Sequence, residues 1–232
     1  MKIHFSPTNP FPMLSEAERN YSAEKEHARQ VDDWLGYNID EIEKQIARRL
    51  AAGSNTEPES RQQLWSHLDA QAFLTPYTEL REIVERLQPQ AGTTFVDLGA
   101  GYGRLAHVLA LYFPGVIFVG YELAAERCRE AERVLDCRGH QHANQKHKMY
   151  VQDLSLTEFQ PEAAAFYFLY DYGEVTAIRK TLEDLRLIAQ AQSIVVVARG
   201  RASRNLIDRE QPWLSAVVKP EHYDRYSIYR SS

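Results

Sequence analysis

Cysteine is scarce in this chain of 232 residues: Cys128 and Cys137, nine positions apart, are the only two. That number excludes a disulfide framework and reads as two free thiols in a reducing compartment. Long apolar runs are also missing. None approaches the roughly 18 residues that a spanning helix needs, and the longest, around Leu109 to Val119, is broken by Pro114-Gly115. No positively charged stretch followed by an apolar core opens the chain, so no secretory leader is read and the expected location is cytoplasmic. Basic charge is not in excess. Lys and Arg total 27 against 32 Asp and Glu, giving a net charge of -5 and a pI of about 5.9. This argues against a broadly basic nucleic-acid surface and against a membrane partner. What is present is 44% hydrophobic content, enough for one full α/β core and an accessory segment.

The most informative stretch is Phe95-Val96-Asp97-Leu98-Gly99-Ala100-Gly101-Tyr102-Gly103, ahead of the helical-looking Arg104-Leu105-Ala106-His107-Val108. Alternating glycines at a strand-to-helix turn let the backbone approach a ligand without Cβ atoms. The helix that follows offers unpaired N–H groups. The spacing is DxGxGxG, not the GxGxxG of dinucleotide sites. A carboxylate at Asp97, just below the loop, suits a ligand with positive charge and repels a pyrophosphate. S-adenosylmethionine, with a sulfonium and an α-ammonium group, meets that requirement. A second acid, Glu122, ends the β-rich run Val116-Ile117-Phe118-Val119-Gly120-Tyr121 and can accept both ribose hydroxyls. It lies 25 residues after Asp97, the length of one βαβ return. A third, Asp153, ends Lys148-Met149-Tyr150-Val151-Gln152 and can accept from an adenine amino group.

Periodicity and breakers organise the rest. Residues 1–20 hold Pro7, Pro10 and Pro12 and read as an extended arm. Residues 21–74 read as a helical cap. In it Val31, Trp34, Leu35, Ile39, Ile42, Ile46 and Leu50 recur at helical spacing with an interruption near Gly36, and a second helix carries Leu64, Trp65 and Leu68. Thr75 is placed as an N-cap with Pro76 at the first helical position, leading a helix with Leu80, Ile83, Val84 and Leu87 inward. Residues 75–232 then alternate: strand 94–98, helix 103–112, strand 116–121, helix 123–136, strands 147–151 and 164–170, helix 174–189 and strand 193–198. Ala216 to Lys219 and Tyr223 to Tyr229 are expected to close the sheet as an antiparallel hairpin. The expected fold class is α/β: a doubly wound, mostly parallel seven-stranded sheet with that hairpin and an N-terminal helical cap.

From about Thr75 onward the chain resembles the class I, Rossmann-like, S-adenosylmethionine-dependent methyltransferases. The resemblance puts the glycine-rich first motif on Asp97, Gly99, Ala100, Gly101 and Gly103, the ribose acid on Glu122 and the adenine-contacting acid on Asp153. Leu123 and Leu154 become apolar faces for the adenine. The strand-4 tip, which in the family borders the transferable methyl, falls on Phe168-Leu169-Tyr170-Asp171-Tyr172-Gly173. It lacks both prolines of the Asn/Asp-Pro-Pro-Tyr/Phe tetrad of nucleic-acid amino methyltransferases, which counts against a base amine as substrate. The Phe73-Leu74-Thr75-Pro76-Tyr77 segment and Gly120-Tyr121-Glu122-Leu123 look similar to small protein-lysine methyltransferases and to uncharacterised bacterial methyltransferase-like proteins. Thr75 and Tyr77 are then offered as a lid on the methionine end of the cofactor.

The implied reaction is in-line displacement on the methyl carbon by a nucleophile of a protein side chain or a small molecule. Tyr170 and Tyr172 are candidates to bracket the sulfonium, and Asp171 to accept a proton or orient the nucleophile. The competing reading makes Tyr170 packing and Asp171 a helix cap. For Arg104, fixing the glycine loop and pointing to solvent stand side by side. Because the strand-4 tip diverges, a cofactor-binding module without its own chemistry is the alternative function. Cys137, His140, His142 and His147 crowd one segment but match no closed zinc spacing, so no metal is expected.

Overall fold

The computed structural model describes residues 2–52, 65, 68–139 and 146–232. Helices α1 (Tyr21–Leu35) and α2 (Ile39–Ala51) precede a short α3 (Ala70–Phe73) and then α4 (Tyr77–Leu87). The core runs β1 (Thr94–Leu98), α5 (Arg104–Tyr112), β2 (Ile117–Glu122), α6 (Ala125–Gly139), β3 (His147–Val151), β4 (Phe166–Tyr170), α7 (Val175–Ala189) and β5 (Val195–Arg199). Helix α8 (Arg201–Glu210), β6 (Glu221–His222) and β7 (Tyr226–Arg230) complete it. The strands form one seven-stranded sheet in the order β3-β2-β1-β4-β5-β7-β6. The first five are parallel, and β7 runs antiparallel to both β5 and β6.

Alternation along the strands divides the core between the two faces of the sheet. On β1, Phe95 joins one cluster with Phe11, Val31 of α1, Ile83 of α4 and Leu109 of α5. Val96 and Leu98 join the other, with Leu182 of α7 and Leu206 of α8. The N-terminal arm and α1 thus share a core with the sheet, and each such side chain contributes roughly 1.5–3 kcal/mol. Gly36 ends α1 in the left-handed region, its N–H bonded to the carbonyls of Asp32 and Asp33.

Three sequence expectations change here. Helix α4 begins at Tyr77 with Pro76 as its N-cap, so Thr75 is not the cap. Its carbonyl instead accepts from Arg104. Ala216 to Lys219 is not a strand: Pro220 cannot donate to a ladder, and β6 forms only after it, at Glu221–His222. Helix α8 was not anticipated. The segment with Leu64 lies outside the described residues, where Trp65 and Leu68 alone of that set are described, as a turn and a bend.

Candidate functional site

The carboxyl ends of β1 to β4 open into a cleft with a cavity volume of about 220 Å³. Its floor holds Gly99, Gly101, Glu122, Leu123, Asp153 and Leu154. One wall is Tyr170, Asp171 and Tyr172; the opposite wall is α3, through Ala72 and Phe73, with Leu74. Four separate strand tips therefore deliver sequence-selected residues to one place, as a doubly wound sheet does outside its carboxyl edge.

The turn after β1 is held tightly. The N–H groups of Gly99 and Ala100 both donate to the Tyr121 carbonyl, at 2.9 and 2.8 Å. Gly99 has a φ of +87°, and a Cβ there would overlap Cβ of Tyr172, so the turn and the wall above it meet only because the residue is glycine. The Gly101 N–H donates to Oε2 of Glu122 at 2.9 Å, and the Ala124 N–H to its Oε1 at 2.8 Å. These bonds aim the buried Glu122 carboxylate across the glycine loop. Asp153 accepts from the backbone and hydroxyl of Ser155 at Oδ1, at 2.8 and 2.6 Å.

Asp97 lies beneath the loop, 5% exposed, and no cation among the described residues pairs with it. Burial, reinforced by the charge of Glu122, pushes its carboxyl up to about 8. Asp97 lies below the cleft lining rather than in it, and of these two buried acids only Glu122 has a cationic neighbour among the described residues, Nη1 of Arg127 at 3.6 Å.

Other expectations are redistributed. Ala100 and Gly103 shape the turn without lining the cleft, and Gly103 is the N-cap of α5. Thr75 and Tyr77 are buried and outside the cleft lining. The Tyr77 ring stacks on Phe11 at 4.9 Å and its hydroxyl donates to Asp32 at 2.8 Å, so Tyr77 supports the site from behind rather than forming a lid. Arg104 points inward: its Nε donates to Asp32 at 3.1 Å, Nη1 to the Thr75 carbonyl at 3.2 Å and Nη2 to Gln71 at 3.0 Å. A second Nη2 bond to Asp32 closes the pair.

At the β4 tip the chemistry is more committed than the sequence implied. Oδ1 of Asp171 accepts from the N–H and hydroxyl of Ser203, at 2.8 and 2.6 Å, and Oδ2 from the N–H of Ala202 at 3.2 Å. Asp171 thus caps α8, thirty residues on, while remaining in the cleft lining. One face of the Tyr170 ring is covered by the Arg199 guanidinium, 4.0 Å from its centroid, and its hydroxyl donates to the Ala72 carbonyl at 3.2 Å. Only the other face is free to meet a ligand. Tyr172 turns its hydroxyl away to Thr181 at 2.5 Å, leaving its ring edge in the cleft. Burial raises both phenols, which stay neutral.

Arg127, Phe73 and Tyr121 also line the cleft and were not selected from the sequence. Arg127 follows Glu122 by five residues, a usable signal only once the strand-to-helix turn is known to fold back. Among the described residues no cluster of His, Cys, Asp or Glu suits a metal. His147 bonds to Asp136 at 3.1 Å, and His140 and His142 lie outside the described residues.

No family model matches the chain, and no curated protein matches it. Among solved structures, a SAM-dependent O-methyltransferase from Thermotoga maritima is similar at 15% identity over 68% of this chain and 65% of that one, with a TM-score of 0.51. The chain has the class I methyltransferase fold. An RNA methyltransferase from Salinibacter ruber, solved with S-adenosyl-L-homocysteine, matches at 19% identity over 68% of this chain and 91% of that one, with a TM-score of 0.47. On this fold, the cleft at the tips of β1 to β4 is the place where ligands bind.

Proposed function

We propose that the protein is an S-adenosylmethionine-dependent methyltransferase acting on a protein side chain or a small-molecule nucleophile in the cytoplasm. One observation carries the reading. Asp97, Glu122 and Asp153 end successive strands around a glycine turn; Glu122 meets the Arg127 guanidinium at 3.6 Å, whereas the buried Asp97 pairs with no cation among the described residues, which leaves negative charge for a sulfonium with an α-ammonium group to balance. In this reading Glu122 accepts the ribose hydroxyls through lone pairs that Gly101 and Ala124 leave open. Asp153, flanked by Leu123 and Leu154, takes the adenine. The methyl then faces Tyr170 and Tyr172. An acidic chain with an acid-lined cleft favours a neutral or cationic nucleophile over a polyanion.

The residues do the positioning. The wall of Tyr170 and Tyr172 limits the approach of the nucleophile to one line, which is where most of the rate in such a displacement originates. A second reading, a cofactor-binding module without chemistry, draws on the Asp171 carboxylate being occupied by α8 and both tyrosine hydroxyls being engaged by protein partners, Tyr170 by the Ala72 carbonyl and Tyr172 by Thr181. Calorimetric titration with S-adenosylmethionine and S-adenosylhomocysteine, with NAD as control, tests the cofactor. Micromolar binding of the first two and none of NAD is expected. Incubation of a cell extract with methyl-labelled cofactor then separates the readings: labelled product supports the enzyme, and tight binding with no labelled protein or metabolite supports the module.

A further inference from the structure

We infer that Glu43, on α2 of the N-terminal layer, is a positioning residue for the ribose end of the cofactor, acting through Arg127 on Glu122. The inference rests on the S-adenosylmethionine reading above. Glu43 accepts from Arg127 in a forked pair, Nε to Oε1 at 2.8 Å and Nη2 to Oε2 at 3.0 Å. It also accepts from the Tyr102 hydroxyl, in the glycine loop, at 2.7 Å. The remaining Nη1 of Arg127 stands 3.6 Å from Oε1 of Glu122. Arg127 is 3% exposed and lies over the Phe73 ring at 4.5 Å, so it is held on the cleft wall on every side.

A guanidinium makes its strongest contact with a carboxylate as a parallel fork. Here the fork belongs to Glu43, and Glu122 receives only the longer, single-armed approach. That division does two things. The guanidinium faces the Glu122 carboxylate without forking onto it, and Glu122 keeps free lone pairs for ligand hydroxyls. Without the charge of Glu43, the fork would swing onto Glu122, which already stands 3.6 Å from Nη1, and occupy the acceptors that the ribose needs. The N-terminal layer therefore reaches the cofactor site without touching the cofactor.

The test is a double-mutant cycle read as S-adenosylhomocysteine affinity by calorimetry. Glu43→Gln should weaken binding about tenfold. In a Glu122→Gln background, where the Glu122 carboxylate is no longer there to be captured, the same change should have almost no effect. Glu43→Asp, which keeps the charge, should restore most of the affinity. Glu130→Gln is the control: Glu130 also ties α6 to the start of α2, through Asn38 at 2.7 Å, but does not touch Glu122. It should lower the melting temperature and leave affinity unchanged. If Glu43→Gln does not fold, Arg127→Lys replaces it, since lysine keeps the charge and loses the fork; the same tenfold loss is expected. Additive losses in the cycle, or full affinity in Arg127→Lys, overturn the inference while the cofactor reading stands. A wild-type protein that takes up neither S-adenosylmethionine nor S-adenosylhomocysteine removes both.

Discussion

Asp97 carries a pH signature that falls within the range where stability is readily measured. Its carboxyl ordinarily titrates at 3.8 and is pushed up to about 8 by burial and by Glu122. A raised acid of this kind gives its full contribution to stability below the ordinary value, and that contribution is lost as the pH climbs towards 8. Asp97→Asn, which never ionises, should therefore match the wild type near pH 4 and exceed it by about 1–3 kcal/mol at pH 9. Denaturant titrations at the two pH values check this, and equal stability at pH 9 would contradict it. Ligand binding reverses the balance, because a cation in the cleft favours the ionised form. Uptake of S-adenosylmethionine at pH 7 should release about one proton, read from calorimetry in buffers of different ionisation enthalpy. Asp97 and Glu122 were both legible as strand-terminal acids. Their mutual burial was not, because it depends on β1 and β2 pairing in the register that sets Asp97 against Gly120.

Among the elements, α8 depends on a residue outside itself. Its N-terminal N–H groups are capped by Asp171 at the end of β4, and Asp171 adopts a φ of +26° to reach them. Gly200 makes this possible: its φ is +90°, and a Cβ would overlap the Asp171 carboxylate. Gly200→Ala should cost about 2–3 kcal/mol by combining backbone strain with loss of the cap, measured as a fall in melting temperature. An unchanged melting point would show that the clasp does not hold α8. The arrangement also explains why α8 escaped the sequence reading. Its buried face is narrow, Ser203, Leu206 and Ile207, and its cap is thirty positions upstream, just past the end of β4. By contrast, α4 and α7 present wide apolar stripes and were legible from periodicity, within a residue or two at their ends. The hairpin was legible as a feature and misplaced by a few residues, since the closing β6 is only two residues long and its position follows Pro220.

For the whole molecule, the N-terminal helices are bound to the sheet by buried charge as well as by apolar contact. Asp32 on α1 is 4% exposed, and Arg104 meets it at the start of α5 with Tyr77 and Gln71 as further partners. Removing one member of such a pair leaves a buried charge uncompensated. Asp32→Ala should destabilise the protein by about 3–5 kcal/mol. With α1 and the sheet in one apolar cluster, thermal unfolding should remain a single transition at a lower temperature. Two separated transitions by circular dichroism would mean that the N-terminal layer unfolds on its own. Among the described residues no helix is long and apolar enough to cross a membrane.

The chain's own order of apolar runs and breakers determined the strand–helix alternation, the parallel sheet and the identity of the acids at three strand tips. Those signals are local, and periods of 2 and 3.6 residues survive in any context. What tertiary structure alone decided is how the polar side chains are shared. Asp171 caps a distant helix, Tyr77 turns to Asp32, and Arg127 divides itself between Glu43 and Glu122. Each of these choices depends on which donor stands within about 3 Å once the elements have packed, and no spacing along the chain encodes that distance.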